Sequence, residues 1–210
     1  MIQSFALLES ILWERQSGYW LLDRHLARLQ ASCDALGFPY DQSLVQEVLE
    51  DCVDVADGEH FKTRFEFHKD GSVHSNLEAI EPISPKTIWK IAIAPQRLNK
   101  ADPLIYHKTT KRDFYSQALQ WGKDNHAVNE VLLLNEDEQF CEGSYCNLFV
   151  ERDDILLTPP VSNGLLAGTF RGQLIEEGKA VEADISLEML QELPIFMGNS
   201  VRGLIRAELI

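Results

Sequence analysis

An α+β fold in two lobes is the architecture that this 210-residue sequence predicts. Strand-like and helix-like segments mix without strict β–α–β alternation, which argues against a doubly wound parallel sheet. Residues 95–103 carry few apolar side chains and read as the link between two halves, so lobes are expected over 1–98 (small, α/β) and 99–210 (larger, with a barrel-like sheet). The length suits one large domain or two small ones sharing an interface.

The elements follow from local chemistry. Residues 2–13, "IQSFALLESILW", are rich in β-formers and read as a strand, with "QSG" at 16–18 as a turn and "YWLL" as a second strand. Asp23 is the expected cap of a helix on which Leu22, Leu26, Leu29, Cys33 and Leu36 recur at helical spacing, ended by Gly37. A second helix covers roughly 42–55. "FKTRFEFHKDGSVHSNLEAI" alternates about "KDG" and reads as a hairpin, and "TIWKIAIAP" is a further strand. The second half opens with a helix after "IYHKTTKRDF". "NEVLLLNEDEQFCEGSYCNLFVERDDILLTPP" reads as three strands broken by acidic turns. "TFRGQLIEEG" is a helix after a glycine-containing loop. A last helix starts near Ser186, and a strand, a turn and a short element close the chain.

Composition removes several function classes. A net charge of −14 disfavours nucleic acid and anionic membrane as partners, and admits a small anion only in a locally positive pocket. Cys33, Cys52, Cys141 and Cys146 lack zinc-site spacing and the six histidines form no HxxxH pair, so no metal is expected. The start "MIQSFALLES" lacks the basic and apolar regions of a signal peptide, and no apolar run approaches a membrane span, so a reducing cytoplasm is the expected location.

Four features could carry chemistry, and each has a plain structural reading beside it. Lys108 is either a solvated cation or an amine poised to form a Schiff base with an aldehyde, with Lys111 and Arg112 close in sequence. Glu142, in "CEGSYCNLFV", is either a turn residue or a carboxylate for a protonated ring nitrogen. "GLLAGTFR" is either an ordinary helix start or an anion cradle built from the Thr169 and Phe170 amides. Arg28, beside an apolar helix stripe, either snorkels or clamps a phosphate with its planar fork. An amine for an aldehyde, a carboxylate for a ring nitrogen and an anion site together are what pyridoxal 5′-phosphate requires.

The segments "LLDRHLARL", "YHKTTKRDFY", "CEGSYCNLFV", "LTPPVSNGLLAGTFR" and "GNSVRG", in this order, resemble the fold-type IV pyridoxal phosphate enzymes. That class contains branched-chain and D-amino acid aminotransferases and aminodeoxychorismate lyase. The resemblance runs from "FALLESILW" to "GNSVRGLIR" and is nearest to the lyase domain of synthase–lyase fusions. The start of the chain just after the position of an "RGxxxGDG"-like motif is expected to favour that branch.

The resemblance implies a two-lobe fold with the cofactor held by Lys108, Glu142 facing its ring nitrogen, and Arg28, Thr169, Phe170 and Ser200 at its phosphate. It implies a 4-amino-4-deoxychorismate lyase giving 4-aminobenzoate and pyruvate for folate synthesis, or alternatively an aminotransferase for branched-chain or D-amino acids. The substrate is then a small anionic amino compound, for whose carboxylates Arg64 and Arg202 are candidates, with Ser10, beside Glu9, as a candidate proton donor. A homodimer and coupling to aminodeoxychorismate synthase are also implied. A cofactor-free binding protein on this fold is the reading from another class.

Overall fold

The computed structural model describes residues 5–54 and 56–210. Its elements form two compact units. The first holds the residues up to Pro82 together with His107–Lys111, and the second holds Ile83–Tyr106 and Arg112–Ile210. The expected lobe boundary at 98/99 therefore coincides with the end of a strand of the second unit, and the short segment around Lys108 belongs with the first.

The first unit is an antiparallel sheet in the order β2-β1-β3-β4 with two helices packed on it. β1 is Leu7–Glu14, β2 Gly18–Tyr19, β3 His60–Phe67 and β4 Val73–Ala79. The helices are α1, Leu22–Leu36, and α2, Gln42–Asp54. Leu7, Ile11, Phe65 and Phe67 point from one face of β1 and β3 into a core completed by Leu26, Leu29, Val45 and Leu49 of the helices. The "KDG" hairpin forms as its residues predict, with Asp70 accepting from the Ser72 amide and Gly71 at φ 87°. Gly37 ends α1 in the left-handed conformation.

Two local expectations need correction. Only Tyr19 of "YWLL" lies in a strand, the two-residue β2 with Gly18, because Leu21 turns left-handed (φ 58°) and α1 begins at Leu22. Asp23 is consequently inside the first turn rather than at the cap, where its charge complements the helix dipole. Residues 2–4 of the expected first strand and residue 55 of the expected second helix lie outside the described residues.

The second unit is built on β5 (Ile88–Leu98), β6 (Glu130–Asn135), β7 (Phe140–Gly143), β8 (Asn147–Arg152), β11 (Ile195–Asn199) and β12 (Gly203–Leu209). These pair in the order β8-β11-β12-β5-β6-β7, and β7 pairs back to β8 at Glu142↔Asn147, so the sheet closes into a barrel. β9 (Ile155–Thr158) and β10 (Ala180–Glu182) extend it beyond β8. The expected α+β architecture with a barrel-like second lobe is what forms. The acidic stretch gives four strands rather than three, because besides the left-handed turns at Glu138 and Asp153–Asp154 the chain turns at Gly143–Cys146, where the Gly143 amide donates to the Cys146 carbonyl. The expected link at Pro95–Pro103 is partly strand, with Pro95 lying where the β5–β6 register shifts and the ladder needs no donor.

Alternation along β5 and β6 divides the core. Ile91, Leu132 and Leu134 face the barrel interior with Leu148 and Met197. Ala92, Val131 and Leu133 pack outward against α3, Asp113–His126. Both faces of β6 are buried, which is why "EVLLLN" reads as a continuous run. The remaining helices are α4, Thr169–Glu176, and α5, Leu187–Glu192, the latter starting next to Ser186 as expected and capped by its hydroxyl, which accepts from the Met189 amide.

Candidate active site

In the first unit, Lys108 is fixed by its backbone. Its carbonyl accepts from the Leu8 amide at 2.8 Å, the Thr110 amide donates to the Ala6 carbonyl at 2.9 Å, and Leu7 and Thr109 form an antiparallel bridge. The segment is thus an extra pairing partner for β1. His107 Nδ1 lies 2.9 Å from Ser32 Oγ, so the residue before the lysine is tied to α1 as well. Burial holds the His107 ring below its ordinary pKa, in the neutral form.

Beside this segment lies a buried ionic group that motif reasoning missed. Glu9, 1% exposed, stands at an inward position of β1 between Leu7 and Ile11. Arg28 donates to it through Nε (2.8 Å to Oε1) and Nη2 (2.5 Å to Oε2), and His25 Nδ1 is 2.7 Å from Oε2. His25 and Arg28 are three residues apart on α1 and so share a face. Burial alone would raise the Glu9 pKa, but the charge of Arg28, with His25 and the hydrogen bonds, brings it down to about 2. His25 is held below its usual range, first by burial and also by the nearby cations Arg28 and Lys108, against the pull of Glu9. Arg28 is therefore the cation that decides the direction for Glu9. An ionised Glu9 only accepts, so neutral His25 carries its proton on Nδ1 and donates it.

Ser10 and Arg64 are direct cross-strand partners, so they share the sheet face opposite Glu9, and Arg64 donates to Glu66 at 2.8 Å.

In the second unit, Glu142 projects from β7 on the same side as Leu133, toward α3. Tyr115 of α3 donates to its Oε1 at 3.1 Å, and the Leu166 amide donates to its Oε2 at 3.2 Å. Tyr115 also lies under the Arg112 guanidinium, 4.7 Å from its ring centroid, and burial pushes its phenol pKa upward. The turn after Glu142 is fixed by a second buried acid. Glu130, on the interior face of β6, accepts from the Val131 amide (2.8 Å), the Ser144 amide (2.9 Å), the Ser144 hydroxyl (2.6 Å) and the Tyr145 amide (3.2 Å). Burial pushes its pKa up despite these donors. Gly143 faces inward there, and a Cβ would meet Met197 Cε at 2.7 Å and Glu130 Cγ at 3.0 Å.

Thr169 and Phe170 occupy the first two positions of α4, where the helix's own ladder does not use their amides. Gly168 caps this helix. A Cβ at that position would collide with the Asn147 side chain, whose amide donates to the Leu166 carbonyl at 3.0 Å. Arg171 anchors α4 through Glu182 (2.5 Å) and the Pro159 carbonyl (2.8 Å). Ser200, 8% exposed, and Arg202 lie in the β11–β12 turn. There Asn199 Oδ1 accepts from the Val201 and Arg202 amides, both at 2.9 Å. Gly198, just before this turn, lies against the Phe170 ring. Lys108 thus shares a unit with Arg28, Ser10 and Arg64, whereas Glu142, Thr169, Phe170, Ser200 and Arg202 share the other.

The donor sets fit a phosphorylated aromatic aldehyde. They comprise a strapped lysine and an arginine in the first unit and, in the second, a buried carboxylate that accepts from a phenol and an amide and a helix start where only glycine fits. Among the described residues no group of three or more His, Cys, Asp or Glu could hold a metal ion, and no helix is long and apolar enough to cross a membrane.

Comparison with known proteins gives the family. The model of the class IV amino-transferases matches residues 6–210. A Schizosaccharomyces pombe protein, provisionally named aminodeoxychorismate lyase, is 26% identical over 97% of this chain and 89% of its own length. A crystal structure from Mesorhizobium loti, provisionally named an amino-acid aminotransferase, is 36% identical with a TM-score of 0.93, covering 98% of this chain and all of the other. The 4-amino-4-deoxychorismate lyase of Pseudomonas aeruginosa shares the fold, with a TM-score of 0.78 at 24% identity over 97% of this chain and 82% of its own. The chain belongs to the class IV aminotransferase family, a family of lyases and transaminases.

Proposed function

Starting from that family membership, we propose that the chain binds pyridoxal 5′-phosphate through Lys108 and acts as a 4-amino-4-deoxychorismate lyase, releasing 4-aminobenzoate and pyruvate. The observation that carries the cofactor reading is the state of Glu142. It is a buried carboxylate that accepts from a phenol and an amide, which aim its oxygens and suit it to meet a cationic ring nitrogen. The lyase assignment is supported by the S. pombe relative, which aligns over nearly the whole of both chains.

When bound, the cofactor supplies an electron sink for the carbon next to the substrate nitrogen. Glu142 keeps the ring nitrogen protonated, with Tyr115 and the Leu166 amide fixing the direction of its oxygens. Arg28, Ser200 and the Thr169 and Phe170 amides hold the phosphate. The Lys108 amine would take the proton from the ring carbon that bears the substrate nitrogen. The C–O bond to the enolpyruvyl group then breaks, and Lys108 or the Ser10 hydroxyl returns a proton to the leaving enolpyruvate as the carbocycle becomes aromatic. Arg64 and Arg202 meet the two substrate carboxylates. A homodimer supplied by an aminodeoxychorismate synthase belongs to the same reading.

The M. loti structure, at 36% identity, favours a second reading, an amino-acid aminotransferase using the same residues. In that case Lys108 would carry the proton with no leaving group to receive it. Borohydride reduction followed by peptide mapping tests the site, with the label expected on Lys108. Assays for 4-aminobenzoate and for keto acids from a panel of amino donors test the reaction. Keto acids without 4-aminobenzoate would replace the lyase by the transaminase.

A further inference from the structure

Glu9 has no part in the chemistry above, yet both of its oxygens are engaged. It is 1% exposed and flanked on its sheet face by Leu7 and Ile11, which belong to the core. A lone carboxylate there would be strongly destabilising, so its retention calls for a reason beyond packing. Both of its oxygens are committed: Oε1 to Arg28 Nε, and Oε2 to Arg28 Nη2 and His25 Nδ1. The arginine is gripped along one edge of its planar fork, in the two-bond geometry that fixes direction as well as distance. Its side chain nevertheless keeps 14% of its surface exposed, while the carboxylate keeps 1%.

We infer that Glu9 is a positioning residue for anion binding: it locks the Arg28 guanidinium in one orientation, with His25 as a second brace, so that the phosphate of the bound ligand meets a preset cation. This rests on the reading that Arg28 meets the cofactor phosphate. An unrestrained arginine loses much side-chain freedom when it captures a ligand, and one already fixed loses little, so the brace raises affinity without touching the ligand. The same strand serves the lysine. The Leu8 amide holds the Lys108 carbonyl one residue before Glu9 holds Arg28. β1 therefore sets the aldehyde-binding and phosphate-binding groups from adjacent positions.

The test compares pyridoxal 5′-phosphate with pyridoxal, which has the aldehyde but no phosphate, binding to the full chain stripped of cofactor. Wild type, Glu9→Gln, Arg28→Lys and Arg28→Ala are titrated by absorbance of the bound aldehyde. Glu9→Gln keeps the shape and removes the charge. It is expected to weaken pyridoxal phosphate about tenfold while leaving pyridoxal within about twofold. Arg28→Lys keeps the charge but cannot be gripped by two bonds, and is expected to lose phosphate preference nearly as far as Arg28→Ala. It decides the matter on its own if Glu9→Gln does not fold. Equal weakening of both ligands in Glu9→Gln overturns the inference in favour of a purely structural acid. So does unchanged or tighter phosphate binding, or a wild-type phosphate preference in Arg28→Lys. If Arg28→Ala itself keeps the preference, the phosphate reading of Arg28 fails. If Arg28→Ala loses it and Glu9→Gln does not, only the role of Glu9 fails.

Discussion

The two units bury carboxylates by opposite means. In the first, Glu9 is neutralised by a permanent cation, and its pKa falls to about 2. In the second, Glu130 is surrounded by amides and a hydroxyl, all neutral, and burial prevails, so its pKa rises. Glu142 likewise accepts from a phenol and an amide. The difference teaches that donor count does not decide the charge state of a buried acid. Glu130 accepts four hydrogen bonds and is still pushed up, whereas one bidentate guanidinium pulls Glu9 down. A guanidinium fixes both the charge and the direction of the acid it holds, whereas neutral donors fix direction alone.

Substitutions can break this division of labour, and the largest effect is expected at Lys108. Lys108→Ala should remove borohydride-stable labelling and lower turnover by about a thousandfold or more, because both the covalent attachment and the proton carrier are lost. Glu142→Gln comes next. It should retain labelling at Lys108 and lower kcat on the order of a hundredfold, since the charge at the ring nitrogen is gone while the attachment stays. Loss of labelling in Glu142→Gln would move this acid from an electronic to a structural role.

The pH dependence of stability sharpens the comparison, because the two acids have opposite signs. Glu9 has a folded pKa below its ordinary 4.5, so its contribution is present above about pH 4.5 and is lost as pH falls toward 2. That contribution is on the order of 3 kcal/mol. His25, also depressed, adds to the same loss as pH falls below its ordinary 6.5. Glu130 has a raised folded pKa, so its contribution is present below 4.5 and is lost as pH rises through the raised value. Urea unfolding across pH should therefore show a shallower acid limb in Glu9→Gln and a flatter profile above pH 4.5 in Glu130→Gln. Parallel profiles for the two variants would contradict the contrast. The smallest effect is expected for Tyr115→Phe. It should lower kcat about fivefold through one lost hydrogen bond to Glu142, with cofactor affinity nearly unchanged.

Much of the frame was legible in the sequence because local chemistry decided it. The "KDG" hairpin, the Gly37 stop and the Ser186 cap depend on residues within a few positions of one another. The miscounts have tertiary causes. The turn at Gly143–Cys146 that splits β7 from β8 is held by Glu130 of the neighbouring strand, which accepts from the Ser144 and Tyr145 amides, and Pro95 stays in a strand only because β6 shifts register beside it. Lys108, Glu142, Arg28 and the "GLLAGTFR" loop were visible as motif residues with ambiguous roles. Glu9 was not singled out, although an acid at an inward position of the alternating strand Leu7–Ile11, with His25 and Arg28 three apart on the next helix, was a readable signal. Tyr115 gave none, because its partner lies on a strand 27 residues away and only the packing of α3 on β6, with β7 paired beside it, brings them together.

The most direct measurement is the form of the cofactor after one turnover. Protein loaded with pyridoxal phosphate is mixed with a limiting amount of enzymatically generated aminodeoxychorismate, and all small molecules are separated. The lyase reading predicts equal amounts of 4-aminobenzoate and pyruvate, dependent on Lys108, with the cofactor recovered as the aldehyde. Cofactor recovered as pyridoxamine phosphate, with no 4-aminobenzoate, would contradict it and assign the same residues to amino transfer.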